Sequence, residues 1–198
     1  MKIDLTEIYK GLDKWRAERG ITAKSQKDGY LVNIMEELGE LAQALRYYDR
    51  ALVDECSYCK AIKQKAEHEI IDALCDISVL TINAWADMPC EFKRTEIELK
   101  KSSLNADYIL KQMVEKCARF SYFEWGEASA FNIILINCVY LCEHYGFNFE
   151  IAMLETIKEI SSRTGFYDEK AKKWVKDESD EARAKWYQAD YEKARLEK

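Results

Sequence analysis

"NIMEELGELAQAL", residues 33–45, places Ile34, Leu38, Leu41 and Leu45 at the three-and-four spacing of a helix that turns one face to a core. The same stretch carries Glu36, Glu37 and Glu40. Residues three or four apart share a face, so Glu37 and Glu40 project together and Glu36 lies beside Glu40. Glu37 also sits on the apolar line itself. Each like-charged pair costs an isolated helix roughly 0.2 to 0.5 kcal/mol, and an unpaired buried carboxylate costs several times more. Such a helix needs something to offset its own charge.

The anomaly recurs in "EHEIIDALCDISVLTINA", residues 67–84, where Glu69, Asp72 and Asp76 stand three and four apart on a line that continues into Val79 and Asn83. The other face, Ile70, Leu74, Ile77 and Thr81, is ordinary packing. Neither inward face carries a cluster of Lys or Arg. Carboxylate oxygens are hard ligands suited to Mg²⁺ or Mn²⁺, which retain waters and engage substrate phosphates. The competing reading points these acids outward as solvated charges, with the core stripe slightly rotated. A di-iron bundle requires Glu-x-x-His on two helices. His68 follows Lys65 and His144 follows Leu141 at that spacing, so both histidines read as surface or helix-end residues.

The pair "EELGE" and, after a 28-residue gap, "EIID" resembles the EExxE…ExxD signature of the MazG-like all-α nucleoside triphosphate pyrophosphohydrolases, whose relatives include dimeric dUTPases and phosphoribosyl-ATP pyrophosphohydrolases. The likeness covers about residues 28–88. "AMLETIKEISSRTGFYDEKAKKWVKD" further resembles the closing segment of such proteins. The resemblance implies a helical bundle that hydrolyses a (deoxy)nucleoside triphosphate to the monophosphate and pyrophosphate with Mg²⁺, Mn²⁺ being a possible substitute. Carried over by motif position, Glu37, Glu40, Glu69 and Asp72 would be the metal ligands. Glu36 would be a further ligand or the group that orients the attacking water, so that Glu36 and Glu37 are the catalytic pair. Asp76 lies outside the minimal motif. Arg163, Lys170, Lys172 and Lys173 fall where phosphate-holding cations are expected, and Trp15, Asn33, Trp85 and Tyr48 could stack on a base or bond its edge. Two other readings stay open: a catalytically silent helical interaction protein, and phosphoribosyl-ATP pyrophosphohydrolase activity.

Composition agrees with a helical chain. Apolar residues make up 48% of it, and a single proline and seven glycines interrupt it, which favours long helices over turn-rich β architecture. The fold class expected is all-α, a bundle with additional helices. A net charge of −6 argues against broad nucleic-acid binding but not against a phosphate-bearing small molecule held through a metal. The longest apolar run, "AFNIILINCVYLC", is too short to span a bilayer, and no signal-peptide pattern opens the chain, so a cytoplasmic protein is expected. Seven scattered cysteines read as reduced thiols, and Cys56 with Cys59 lacks the second pair a zinc site needs.

Four units are expected. Residues 1–88 form the acidic helical unit, with helices over about Leu5 to Glu18, from Asp28 or Gly29 to Tyr48, and from Glu67 to Ala86. Residues 89–145 are inserted helices; Glu124-Trp125-Gly126-Glu127 echoes Glu37-Leu38-Gly39-Glu40, leaving a degenerate second copy and a plain insertion both open. Residues 146–176 close the bundle with a helix over 148–162, a turn at Gly165 and a basic, aromatic segment. Residues 177–198 are expected as a charged helix. The partner state expected is a homodimer or homotetramer.

Overall fold

A computed structural model describes residues 2–52, 57–89, 93–98, 106–119, 127–168, 170 and 173–197. Helices dominate these residues: α1 (Thr6–Arg19), α2 (Ala23–Ala51), α3 (Ser57–Ala84), α4 (Ala106–Arg119), α5 (Glu127–His144), α6 (Phe149–Ser162) and the single turn α7 (Asp180–Arg183). The protein is all-α, with two small antiparallel strand pairs at its edges: β1 (Lys2–Asp4) against β2 (Glu96–Glu98), with Ile3 opposite Ile97, and β3 (Gly165–Asp168) against β4 (Lys173–Lys176). No helix among the described residues is long and apolar enough to cross a membrane.

The two acidic helices pack on each other along most of their lengths. α2 buries Tyr30, Ile34, Leu38, Leu41 and Ala44 against α3. α3 is the central element, touching α1, α2, α5 and α6. Its residues Ile70, Ile71, Leu74, Cys75 and Ile77 are fully enclosed, as a helix with neighbours on several sides requires. α5 is apolar all round and buried for the same reason, and α4 packs on it.

Both central helices begin earlier than the sequence pattern suggests. A capping box between Thr22 and Ser25 starts α2 ahead of Asp28, and Gly29 is carried inside the helix. α3 begins at Ser57, because the stretch expected as a connection is built of Lys, Ala and Gln, which propagate a helix without an apolar stripe. Pairs Lys63–Glu67 and Lys65–Glu69 lie along that extension. α1 ends at Gly20, which takes the left-handed conformation at φ 62° and returns its N–H to the last turn. Cys56 and Glu124 to Gly126 lie outside the described residues, and with them the CSYC and EWGE readings.

The tail from Glu178 is not a charged helix. It forms α7, then an extended run, then a 3₁₀ turn over Tyr191–Ala194. Side-chain and backbone bonds to α6 and α3 replace helical ones. Tyr187 donates through its backbone N–H to Ser162 Oγ (2.8 Å) and through its hydroxyl to Glu155. Asn148 and Leu196 donate backbone N–H groups to the carbonyls of Ala194 (2.6 Å) and Gly146 (2.8 Å). Near the end, Arg195 bonds both Glu192 (2.7 Å) and Glu67 (3.1 Å). The tail is a strap over the bundle, and polar anchoring to α6 overrides local helix propensity.

Candidate functional site

α1, α2, α3, α6 and the β3–β4 hairpin meet around a cleft of about 570 Å³. α2 contributes Asn33, Glu36 and Glu37 to its wall, α3 contributes Asp76 and Val79, and α6 leads into Arg163. The hairpin supplies Tyr167, Trp174 and Lys176, and α1 supplies Trp15 and Arg19.

Of the acids on the two central helices, Glu36, Glu37 and Asp76 line the cleft, Asp72 lies behind them in electrostatic reach of Glu40 and Asp76, and Glu40 and Glu69 are not part of the wall. Glu37 is half-buried: burial pushes its carboxyl up from the usual 4.5 to about 7, and the charges of Glu40, Asp72 and Glu36 add to the effect while Lys176 opposes it. Its Oε2 is buried with no hydrogen-bond partner among the described residues. Burial also raises Asp72. There the hydrogen bond from Tyr191 works against the rise and the charges of Glu159 and Glu40 reinforce it. Asp76 is raised well above the ordinary carboxylate value, by burial and then by the charges of Asp72 and Glu37. It belongs to the cluster's centre, although it falls outside the resemblance motif. Glu69 stands one turn before Asp72 and is paired with Lys65 at 3.5 Å.

Two cations, Arg163 and Lys176, oppose these acids, and a third, Arg19, lines the same cleft. Arg163 holds Glu159 at 2.7 Å, faces Asp72 and Asp76, and keeps its buried Nε unpartnered among the described residues. Lys176 faces Glu37. Arg19 is 7% exposed and committed: its Nη2 donates to the carbonyls of Ile160 (3.3 Å), Ser161 (3.1 Å) and Arg163 (3.1 Å), closing the end of α6. Its guanidinium also lies 5.2 Å from the ring centre of Trp15 and 5.3 Å from that of Trp174. This stack ties the hairpin to α1. Trp15 is fixed further by its Nε1–H bond to the Ile160 carbonyl at 3.1 Å.

Of the phosphate-holding cations expected, Arg163 lines the cleft and exposed Lys170 does not; its backbone N–H closes a turn onto Asp168 (2.8 Å). Lys172 and the Lys173 side chain lie outside the described residues. Among the base-binding residues expected, Trp15 and Asn33 line the cleft. Trp85 does not: it is 4% exposed and packs edge-on against Tyr30, with ring centres 4.9 Å apart, because a large aromatic in the turn that closes α3 fills core more readily than surface. Tyr48 likewise packs on Tyr145.

Sequence reasoning missed Glu159, Arg19, Lys176, Tyr167 and Trp174. Glu159 carried a usable signal, since it sits four residues before Arg163 and four after Glu155 on one face of the helix. The others reach the cleft through a hairpin and a helix end whose placement is non-local.

As the side chains stand, no three His, Cys, Asp or Glu groups among the described residues are grouped tightly enough to hold an ion. The donor chemistry nevertheless fits a hard divalent cation: the carboxylates are mutually repelling, their charged forms are disfavoured, and one buried oxygen lacks a partner. No protein-family model matches the chain, and neither does any curated protein or solved structure compared with it.

Proposed function

We propose that this cleft binds a nucleoside triphosphate and that the protein hydrolyses it, with Mg²⁺ or Mn²⁺, to a nucleoside monophosphate and pyrophosphate. One juxtaposition carries the reading: Glu37, with its unpartnered buried carboxylate oxygen, and Glu36 and Asp76 share a single cleft with Arg163, Lys176 and three exposed or half-buried aromatic rings, Trp15, Tyr167 and Trp174. An ordinary solvated acidic face has no use for that combination. The sequence resemblance to MazG-like pyrophosphohydrolases supports the same reaction.

Glu37, Glu40 and Asp72 would hold the metal, with Asp76 beside them and Glu69 joining by releasing Lys65. When bound, the metal would supply charge neutralisation for both the carboxylates and the triphosphate. Glu36, exposed at the cleft wall, orients the attacking water and accepts its proton. Arg163 and Lys176 take the distal phosphates, where a planar guanidinium with a spare N–H and a mobile ammonium suit non-bridging oxygens. The Asn33 amide and the rings of Tyr167 and Trp174, which line the same cleft, would hold the base. The reading includes a homo-oligomer: Leu31, Val32 and Met35 are exposed on α2 and would be covered by a second copy.

The test is a panel of NTPs and dNTPs incubated with the protein and Mg²⁺, with products separated by ion-exchange chromatography. Monophosphate and pyrophosphate in equal amounts are expected. Orthophosphate alone, or no turnover across the panel, would reject the assignment; a strong preference for phosphoribosyl-ATP would redirect it.

A further inference from the structure

The C-terminal strap does more than cover the bundle, because it touches two carboxylates of the acidic cluster directly. Tyr191, in the 3₁₀ turn, donates its hydroxyl to Asp72 Oδ1 at 2.6 Å across 119 residues of sequence. Two residues earlier, the backbone N–H of Ala189 donates to Glu159 Oε2 at 2.8 Å. Neither contact belongs to helix packing.

The phenol is tightly constrained. Tyr191 is 6% exposed, so its hydroxyl has no bulk water to turn to. Thr156 Oγ1, on α6, lies 3.0 Å from the phenol oxygen and also reaches the Ala152 carbonyl at 3.1 Å. The ring stands between α6 and α3, in hydrogen-bond reach of Thr156 on one helix and donating its hydroxyl to Asp72 on the other. An ionised carboxylate offers about four lone-pair directions, and a fixed donor on one oxygen restricts which way the others point. Losing a partner that orients a metal-binding carboxylate in this manner typically costs about ten- to a hundredfold in metal affinity.

We propose that Tyr191 is a positioning residue of the acidic site, fixing the Asp72 carboxylate for a divalent cation, so that the strap is a working part of the site. The proposal rests on the metal reading given under Proposed function, and the two can fail separately.

The experiment is calorimetric titration of Mn²⁺, without nucleotide, into the full chain and into Tyr191→Phe and Tyr187→Phe variants. Phenylalanine at 191 keeps the ring and removes the donor, so Mn²⁺ binding is expected to weaken roughly ten- to a hundredfold. Tyr187→Phe cuts a strap bond to Glu155, which is not in the cluster, and is expected to leave affinity unchanged. Where Tyr191→Phe fails to fold, Thr156→Val replaces it: this near-isosteric change removes the hydroxyl behind the phenol, and a smaller loss of affinity in the same direction is expected. A parent that binds Mn²⁺ and a folded Tyr191→Phe that binds it equally well would overturn the positioning role alone. In the replacement case, unchanged affinity in Thr156→Val does the same. An equal loss in Tyr187→Phe would overturn it too, by showing that any loosening of the strap suffices. A parent that takes up no Mn²⁺ would overturn both this role and the metal reading.

Discussion

Glu37 is the residue on which the chemistry of the cleft turns, and its energetics run opposite to those of an ordinary surface acid. Its carboxyl is raised from 4.5 to about 7, chiefly by burial and then by Glu40. A raised acid destabilises the folded state as it ionises: the cost is absent below about 4.5, grows through the interval, and is complete above about 7. Removing the charge should therefore stabilise the metal-free protein at alkaline pH. Glu37→Gln is expected to raise the melting temperature at pH 8 by a few degrees, corresponding to roughly 1 to 3 kcal/mol, with the two proteins converging near pH 4.5. Differential scanning calorimetry with chelator present reads this, and a melting temperature lowered at pH 8 would mark Glu37 as a structural acid. Asp72→Asn and Glu40→Gln make the complementary statement about function. Each should abolish Mg²⁺-dependent turnover in the substrate panel while far-ultraviolet circular dichroism stays that of the parent. A large loss of helicity would assign these acids to the core.

The β3–β4 hairpin shows what one element contributes that no spacing rule could reveal. Gly165 opens β3 opposite Lys176, and a Cβ there would lie 2.3 Å from the Val175 carbonyl oxygen and 2.8 Å from the Trp174 ring. Only glycine lets the strands approach closely enough to set Trp174 beside Arg19 and Lys176 toward Glu37. Gly165→Ala should displace the hairpin, costing about 1 to 3 kcal/mol as an overpacked site does and weakening nucleotide binding severalfold. Equilibrium binding of a fluorescent nucleotide beside a thermal melt tests this; parental affinity in a folded Gly165→Ala protein would detach the hairpin from the cleft. The legibility of the sequence divides along the same line. Ile34, Leu38 and Leu41, with Glu37 and Glu40 among them, and Asp72 and Asp76 within α3, carry both the helix pairing and the acidic cluster in local three-and-four spacing, whereas Glu69 on the same line pairs with Lys65 instead. Lys176, Trp174 and Tyr167 reach the cleft through a strand pairing dictated by close contact at Gly165. Arg19 became part of it because the end of α6 needed a donor. Tyr191 sits in a charged tail whose pattern reads as helix, and only the carboxylates of α6 and α3 make it a strap.

At the scale of the whole molecule, two carboxylate systems pull stability in opposite directions with pH. Glu155 is nearly enclosed. Burial pushes its carboxyl up, but hydrogen bonds from Lys158, Tyr187 and the Asp190 backbone N–H outweigh that and hold it at about 2. A depressed acid stabilises the fold above its ordinary value of 4.5, and that contribution is lost as pH falls toward about 2. Glu192, depressed first by Arg195, acts the same way at the end of the strap. The strap therefore loosens in acid while the acidic cluster strains the bundle in base. The metal-free protein should be most stable near pH 4.5, losing stability toward about 2 as Glu155 gives up its contribution and toward about 7 as Glu37 ionises. Divalent metal binds the ionised cluster and not the protonated one, so it should raise the melting temperature strongly at pH 8 and hardly at all at pH 4.5, moving the optimum upward. Glu155→Gln should flatten the acid limb alone, leaving the alkaline response to metal intact. Melting curves from pH 3 to 9, with Mg²⁺ and with chelator, check all three limbs at once. If Mg²⁺ stabilised the protein equally at both ends, its binding would not involve carboxylates that titrate near neutrality, and the cleft would lose its claim to the ion.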